Sequence, residues 1–84
     1  MSVPRTRTSQ LLDSLTRMVT ARLDDAEAAA SASEELWTLA WALGVAALTV
    51  TPLDVDSSVV ANANAAVFRA KGLSHRLRAS RGRA

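Results

Sequence analysis

Apolar residues recur at steps of three and four along the first part of the chain, which is the period of an amphipathic helix. The pattern predicts a helix from about residue 9 to residue 30, capped by the hydroxyl of Thr8 or Ser9. Polar and charged residues occupy the opposite side, so one face of this helix should be buried. The apolar stripe consists of Leu12, Leu15, Val19, Leu23, Ala26 and Ala30.

A second helix is predicted from about residue 34 to residue 50, and it is apolar nearly all round. Ser31 has capping-box spacing with Glu34, and Ser33 is an alternative cap. The helix should end at Thr51-Pro52, because proline pushes the preceding residue out of the α region. A helix of this kind is buried on most of its faces, and the first two helices should form an αα-hairpin.

A third helix should follow, capped by Asp56 or Ser57, with an apolar stripe that is mostly alanine. Lys71-Gly72-Leu73 predicts its end, with glycine at the position that favours a left-handed backbone. If the helix continues instead, Leu73 and Leu77 extend its apolar stripe. The predicted fold class is therefore all-α, a three-helix arrangement with a basic C-terminal tail. The predicted organisation is a flexible arm over 1–8, a helical domain over 9–71 and the tail over 72–84.

Composition narrows the function classes. The 84 residues allow one small domain, without cysteine and with a single histidine. We therefore expect no catalytic, cofactor-binding or metal site, and a protein that is not an enzyme. The 17 alanines, and the nine arginines against one lysine, are typical of a high-GC bacterial or phage coding sequence.

The alanine-rich stripes predict a thin core, because an alanine methyl group buries little apolar area. Oligomerisation would complete that core, so we expect a structural or scaffolding protein that self-assembles or docks into a larger complex. Tryptophan is enriched at the energetic centres of interfaces, and two tryptophans stand one turn apart. The expected interface residues are Leu12, Leu15, Val19, Trp37, Trp41 and Leu48.

The C-terminal sixteen residues carry six basic side chains and no acid. The candidates for phosphate or acidic-partner contact are Arg69, Lys71, Arg76, Arg78, Arg81 and Arg83. An acidic partner surface is available in a second copy, where Asp24, Asp25 and Glu27 lie near the end of the first helix. Arginine also binds phosphate bidentately, so a nucleic-acid-binding accessory protein is the alternative.

A membrane alternative rests on the uncharged segment 36–53, whose 18 residues reach the lower limit for a transmembrane helix. The chain would then be a small single-pass protein with a holin-like outline, in the inner membrane with a cytoplasmic C-terminus. Because no apolar run of a signal peptide follows Arg5 and Arg7, the expected compartment is otherwise the cytoplasm.

Overall fold

A computed structural model of the chain describes residues 7–50 and 55–82. Within these residues the chain forms three α-helices and no strand: α1 (Arg7–Ala29), α2 (Glu34–Val50) and α3 (Ser57–Gly82). Each helix packs against the other two. The prediction of an all-α, three-helix protein is confirmed. The larger part of the predicted arm, residues 1–6, lies outside the described residues, as do residues 51–54 with the predicted stop at Thr51-Pro52.

The start of α1 differs from the prediction. The helix begins at Arg7, so Thr8 and Ser9 lie inside its first turn and not at the cap position that precedes it. Ser9 is buried, and its hydroxyl oxygen accepts a hydrogen bond of 3.2 Å from the backbone N–H of Asp56. This contact joins the beginning of α1 to the residue that precedes α3, across 47 positions of the chain.

The turn between α1 and α2 is closed by two backbone hydrogen bonds. The N–H of Ser31 donates to the carbonyl of Ala26 (3.1 Å), and that of Ala30 donates to Glu27 (3.3 Å). This pair of bonds is the Schellman motif, which requires a left-handed residue after the helix. Ala30 takes that conformation, with a φ of 51°. The cap of α2 is Ser33, whose hydroxyl accepts the N–H of Leu36 at 3.2 Å.

Asp56 caps α3, since its carboxylate accepts the backbone N–H of Ser58 at 2.9 Å. The predicted helix end at Gly72 is wrong, because α3 continues without interruption through 26 residues to Gly82. Glycine inside a helix costs about 0.5–1 kcal/mol. Burying a leucine contributes about 1.5–3 kcal/mol, and both Leu73 and Leu77 pack on the core. The segment from residue 72 to Gly82, part of the predicted tail, is thus helical.

The core runs between the three helices and follows the predicted stripes of α1 and α3, except that Ala30 is exposed beyond the end of α1. Helix α2 keeps an exposed side that includes Trp41 and Leu48, whereas the prediction buried most of its faces. α1 contributes Leu12, Val19, Leu23 and Ala26, while α2 contributes Leu36, Ala40, Leu43 and Ala47. The α3 residues are smaller: Val59, Ala63, Ala66, Ala70 and Leu73. Because these side chains are small, the α3 backbone must lie close to α1 and α2 for the core to be filled.

Candidate functional site: an apolar groove between α2 and α3

A groove of about 880 Å³ runs along the surface between α2 and α3. Its lining comes from these two helices and from Ala32, with no contribution from α1 among the described residues. The apolar lining includes Trp37, Trp41, Val45, Leu48, Val67 and Phe68. We call this feature the α2–α3 groove.

Three large apolar side chains in the groove are mostly exposed to solvent. Trp41 and Phe68 are each 72% exposed, and Leu48 is 76% exposed. A single exposed leucine is ordinary, but several large apolar side chains along one concavity mark an interaction surface. Two of them come from α2 and one from α3, so the surface exists only once the helices have packed.

Helical spacing and one glycine shape the groove. Trp37, Trp41 and Leu48 are separated by four and seven residues, which keeps them on one side of α2. Gly44 lies between them and has no side chain. A Cβ atom at Gly44 would lie 3.6 Å from a methyl group of Val67, so the two helices approach closely at this point.

Charge along the groove is of one sign. Lys71 and Arg78 line it, both are exposed, and they are seven residues apart on α3. The Lys71 ammonium lies 5.6 Å from the centre of the Phe68 ring, within the range of a cation–π contact. With the polar Asn64 and Ser74, these residues give the apolar groove a basic rim.

Two other basic residues of α3 turn toward α1. Arg69 donates hydrogen bonds to the carboxylates of Asp24 and Glu27, and Arg76 donates to Glu27 at 3.0 Å. The hydrogen bond from Arg69 is the main reason that the pKa of Glu27 is lowered, with a further contribution from Arg76. The pKa of Arg69 is raised, first by its hydrogen bond to Asp24 and then by Glu27. The Asp24–Glu27 end of α1 therefore binds basic residues of the same chain.

The predicted interface residues separate into two groups. Leu12 and Val19 are buried inside the bundle, and Leu15 and Trp37 pack against its core, although Trp37 also lines the groove. Trp41 and Leu48 remain exposed in the groove.

Two groove residues are not among the interface residues predicted from the sequence. Phe68 and Val45 lie beside the predicted stripes of their helices, and Phe68 is the only phenylalanine in the chain. The one signal in the sequence that indicates Phe68 is that it is an isolated aromatic residue outside the alanine stripe of its helix.

The predicted phosphate-contact residues are also dispersed around α3. Lys71 and Arg78 line the groove, whereas Arg69 and Arg76 pair with acids of α1. Arg81 belongs to α3, and Arg83 lies outside the described residues. The four of these side chains that the structure describes do not form one continuous basic face, because Lys71 and Arg78 face the groove while Arg69 and Arg76 face α1.

No metal or membrane-spanning site is visible in the described part of the chain. It contains no group of three or more His, Cys, Asp or Glu side chains arranged to hold a metal ion. Helix α2 ends at Val50 after 17 residues, and no helix within residues 7–50 and 55–82 is long and apolar enough to cross a membrane. Residues 51–53 of the predicted span lie outside this description.

No protein family, curated protein or solved structure matches the chain.

Proposed function

We propose that the protein is a non-enzymatic, structural assembly protein whose α2–α3 groove is covered by a second copy of the chain. The observation that carries this proposal is the exposure of Trp41, Leu48 and Phe68 along one groove. Water contact with such side chains is unfavourable, and covering them is the main source of free energy in protein association.

The size of the exposed surface suits a reversible contact. Burying one large apolar side chain fully contributes about 1.5–3 kcal/mol. Association itself costs several kcal/mol of translational, rotational and side-chain freedom. Three anchors in one groove, supported by their neighbours and by ion pairs at the rim, agree with dissociation constants on the order of micromolar.

The charge on the rim favours an acidic occupant. Lys71 and Arg78 are the charged residues that line the groove, so a covering surface gains affinity when it presents carboxylates to them. The chain itself carries exposed carboxylates, among them Asp25 on α1 and Glu34 on α2. A second copy therefore offers apolar and acidic groups together.

The test is the mass of the protein in solution, by size-exclusion chromatography with light scattering over a range of concentrations. We expect the wild-type chain to form a species of several chains, and Trp41→Ser to shift it toward the monomer. Thr38→Ser is the matched control, because Thr38 is exposed on α2 outside the groove. A wild-type chain that stays monomeric at about 100 µM would contradict self-assembly, and would direct attention to a different protein as occupant.

The nucleic-acid alternative receives less support from the arrangement of charges. Arg69 and Arg76 are engaged by carboxylates of α1, which leaves fewer basic groups for phosphate. Binding through several phosphates loses affinity steeply with added salt. A duplex or single strand that binds in a salt-sensitive manner, and is lost with Lys71→Ala and Arg78→Ala together, would favour this alternative.

A further inference from the structure

The outer side of α1 carries a second exposed apolar stripe, separate from the groove. Leu11 is 65% exposed and Met18 is 41% exposed, although both are large apolar residues. Asp25 follows Met18 at the same interval of seven residues, so the three side chains lie along one side of the helix. Asp24 and Glu27 pair with Arg69, whereas Asp25 makes no ion pair with any described residue. We call Leu11, Met18 and Asp25 the α1 stripe.

The α2–α3 groove has the same order of groups along its length. Because only six residues separate α2 from α3, the two helices run antiparallel, and the close approach of Gly44 to Val67 sets their alignment. Leu48 on α2 therefore lies beside Asn64 at one end, while Arg78 lies beyond the start of α2 at the other. The groove runs from an apolar end to a basic end, just as the α1 stripe runs from apolar Leu11 to acidic Asp25.

The lengths agree as well as the order. Fourteen residues separate Leu11 from Asp25, and fourteen separate Asn64 from Arg78. At 1.5 Å per residue, both spans are about 21 Å. From these correspondences we infer that the groove receives the α1 stripe of a second copy, an inference that rests on the proposed function and specifies its partner surface.

In this arrangement Leu11 covers Leu48, Met18 packs on Trp41, and Asp25 pairs with Arg78. The bound α1 runs in the same direction as the α3 that receives it. The opposite direction is disfavoured, because it places Arg7 beside Arg78 and buries Asp25 among apolar groups. Methionine suits the central position, since its flexible thioether packs well against aromatic rings.

The contact is heterologous, because the donor stripe and the receiving groove are different surfaces of the same chain. Each copy then offers one of each, so assembly proceeds head to tail and ends in a ring or continues as a filament. A two-fold dimer would instead place the same residues on both sides of its interface.

Charge reversal tests the predicted ion pair. Asp25→Lys and Arg78→Glu should each weaken assembly by about tenfold or more, measured by sedimentation velocity, and the double variant should recover most of that loss. Gln10→Lys is the control, because it adds positive charge to an exposed position of α1 outside the stripe. Circular dichroism establishes that every variant retains its helices.

Mixing two blocked chains tests the head-to-tail arrangement. Met18→Lys blocks the stripe and Trp41→Glu blocks the groove, so each variant alone should be monomeric. Together they should form a dimer with one copy of each, and no larger species, because one intact stripe and one intact groove remain.

The outcomes separate the inference from the proposed function. If Asp25→Lys and Met18→Lys assemble like the wild type while Trp41→Ser does not, the groove is an interface but the α1 stripe is not its occupant. The absence of a mixed dimer overturns the head-to-tail arrangement in the same way. A wild-type chain that never assembles overturns both proposals.

Discussion

Arg76 on α3 donates a hydrogen bond of 3.0 Å to the carboxylate of Glu27 on α1, although 49 residues separate them in the chain. Arg69 donates to the same carboxylate and also to that of Asp24. The sequence predicts the acidic end of α1, with Asp24, Asp25 and Glu27, as a docking surface for a second copy. Two of its three carboxylates are instead bound within the chain, and Asp25 alone remains to meet a partner.

This ion-pair cluster predicts a specific dependence of stability on pH. The pKa of Glu27 is lower in the folded chain than in the unfolded chain, chiefly because of the hydrogen bond from Arg69. Its stabilising contribution is therefore fully present above the unfolded pKa, near 4.5, and is lost as the pH falls through the folded value. We expect Glu27→Gln to reduce stability at pH 7 and to flatten its decline in acid.

Urea unfolding at neutral and acidic pH, followed by circular dichroism, measures this effect. Glu34→Gln is the control, because Glu34 is exposed and lies outside the cluster. If the free energy of unfolding falls equally with decreasing pH in Glu27→Gln and in the wild type, the Arg69 and Arg76 contacts add nothing to the stability of the fold.

Replacing either of two leucines of α2 by alanine should affect a different property of the protein. Leu43 is fully buried and Leu48 lies exposed in the groove. Leu43→Ala should cost about 2–5 kcal/mol of unfolding free energy, since it leaves a cavity in the core. Leu48→Ala should change the stability of the monomer by less than about 0.5 kcal/mol, yet weaken assembly. Denaturant unfolding of dilute protein and sedimentation of concentrated protein separate the two effects.

Gly72 offers a test of the continuous α3 helix. A Cβ atom added there meets no other atom within 4 Å, and the glycine has no positive φ. Gly72→Ala should therefore stabilise the chain by about 0.5–1 kcal/mol. If the helix ended at Gly72 with a left-handed glycine, the same substitution would destabilise it. Thermal unfolding of Gly72→Ala and of the wild type distinguishes these results, because the midpoint temperature rises in the first case and falls in the second.

At position 30 we expect the reverse of the effect at position 72, with glycine more stable than alanine. Ala30 holds a left-handed backbone conformation, which strains any residue with a Cβ atom. Ala30→Gly should stabilise the chain by about 1 kcal/mol. Ala29→Gly is the matched control and should destabilise, because Ala29 is the last residue of the α1 helix. Equal effects of the two glycines on the unfolding midpoint would contradict the Schellman turn.

Substitution of Ser9 should destabilise the chain, although its side chain is small and polar. Its buried hydroxyl accepts the backbone N–H of Asp56, and alanine cannot replace that acceptor. We expect Ser9→Ala to cost about 1–3 kcal/mol, measured by urea unfolding. Ser14→Ala on the exposed part of α1 is the control and should have little effect. A neutral Ser9→Ala would indicate that the link between the starts of α1 and α3 contributes no stability.

The amino-acid sequence by itself determined the three helices of this protein and the buried sides of α1 and α3. The bounds of α2 and most core positions of α1 and α3 follow from a periodic pattern, because neighbouring residues in the sequence define which side of a helix is apolar. Capping by Asp56 and Ser33 also follows from a few neighbouring residues, because a cap acts only on its own first turn.

Only the tertiary structure decided which large apolar residues stay exposed and which charges find partners. Trp37 packs against the core and Trp41 does not, although they are one turn apart and identical in chemistry. The difference depends on where the neighbouring helix lies. The partners of Arg69 and Ser9 are more than forty positions away, and the helix through Gly72 is held by leucines that pack on the core. A local period carries no information on such pairings, because they depend on the relative placement of whole helices.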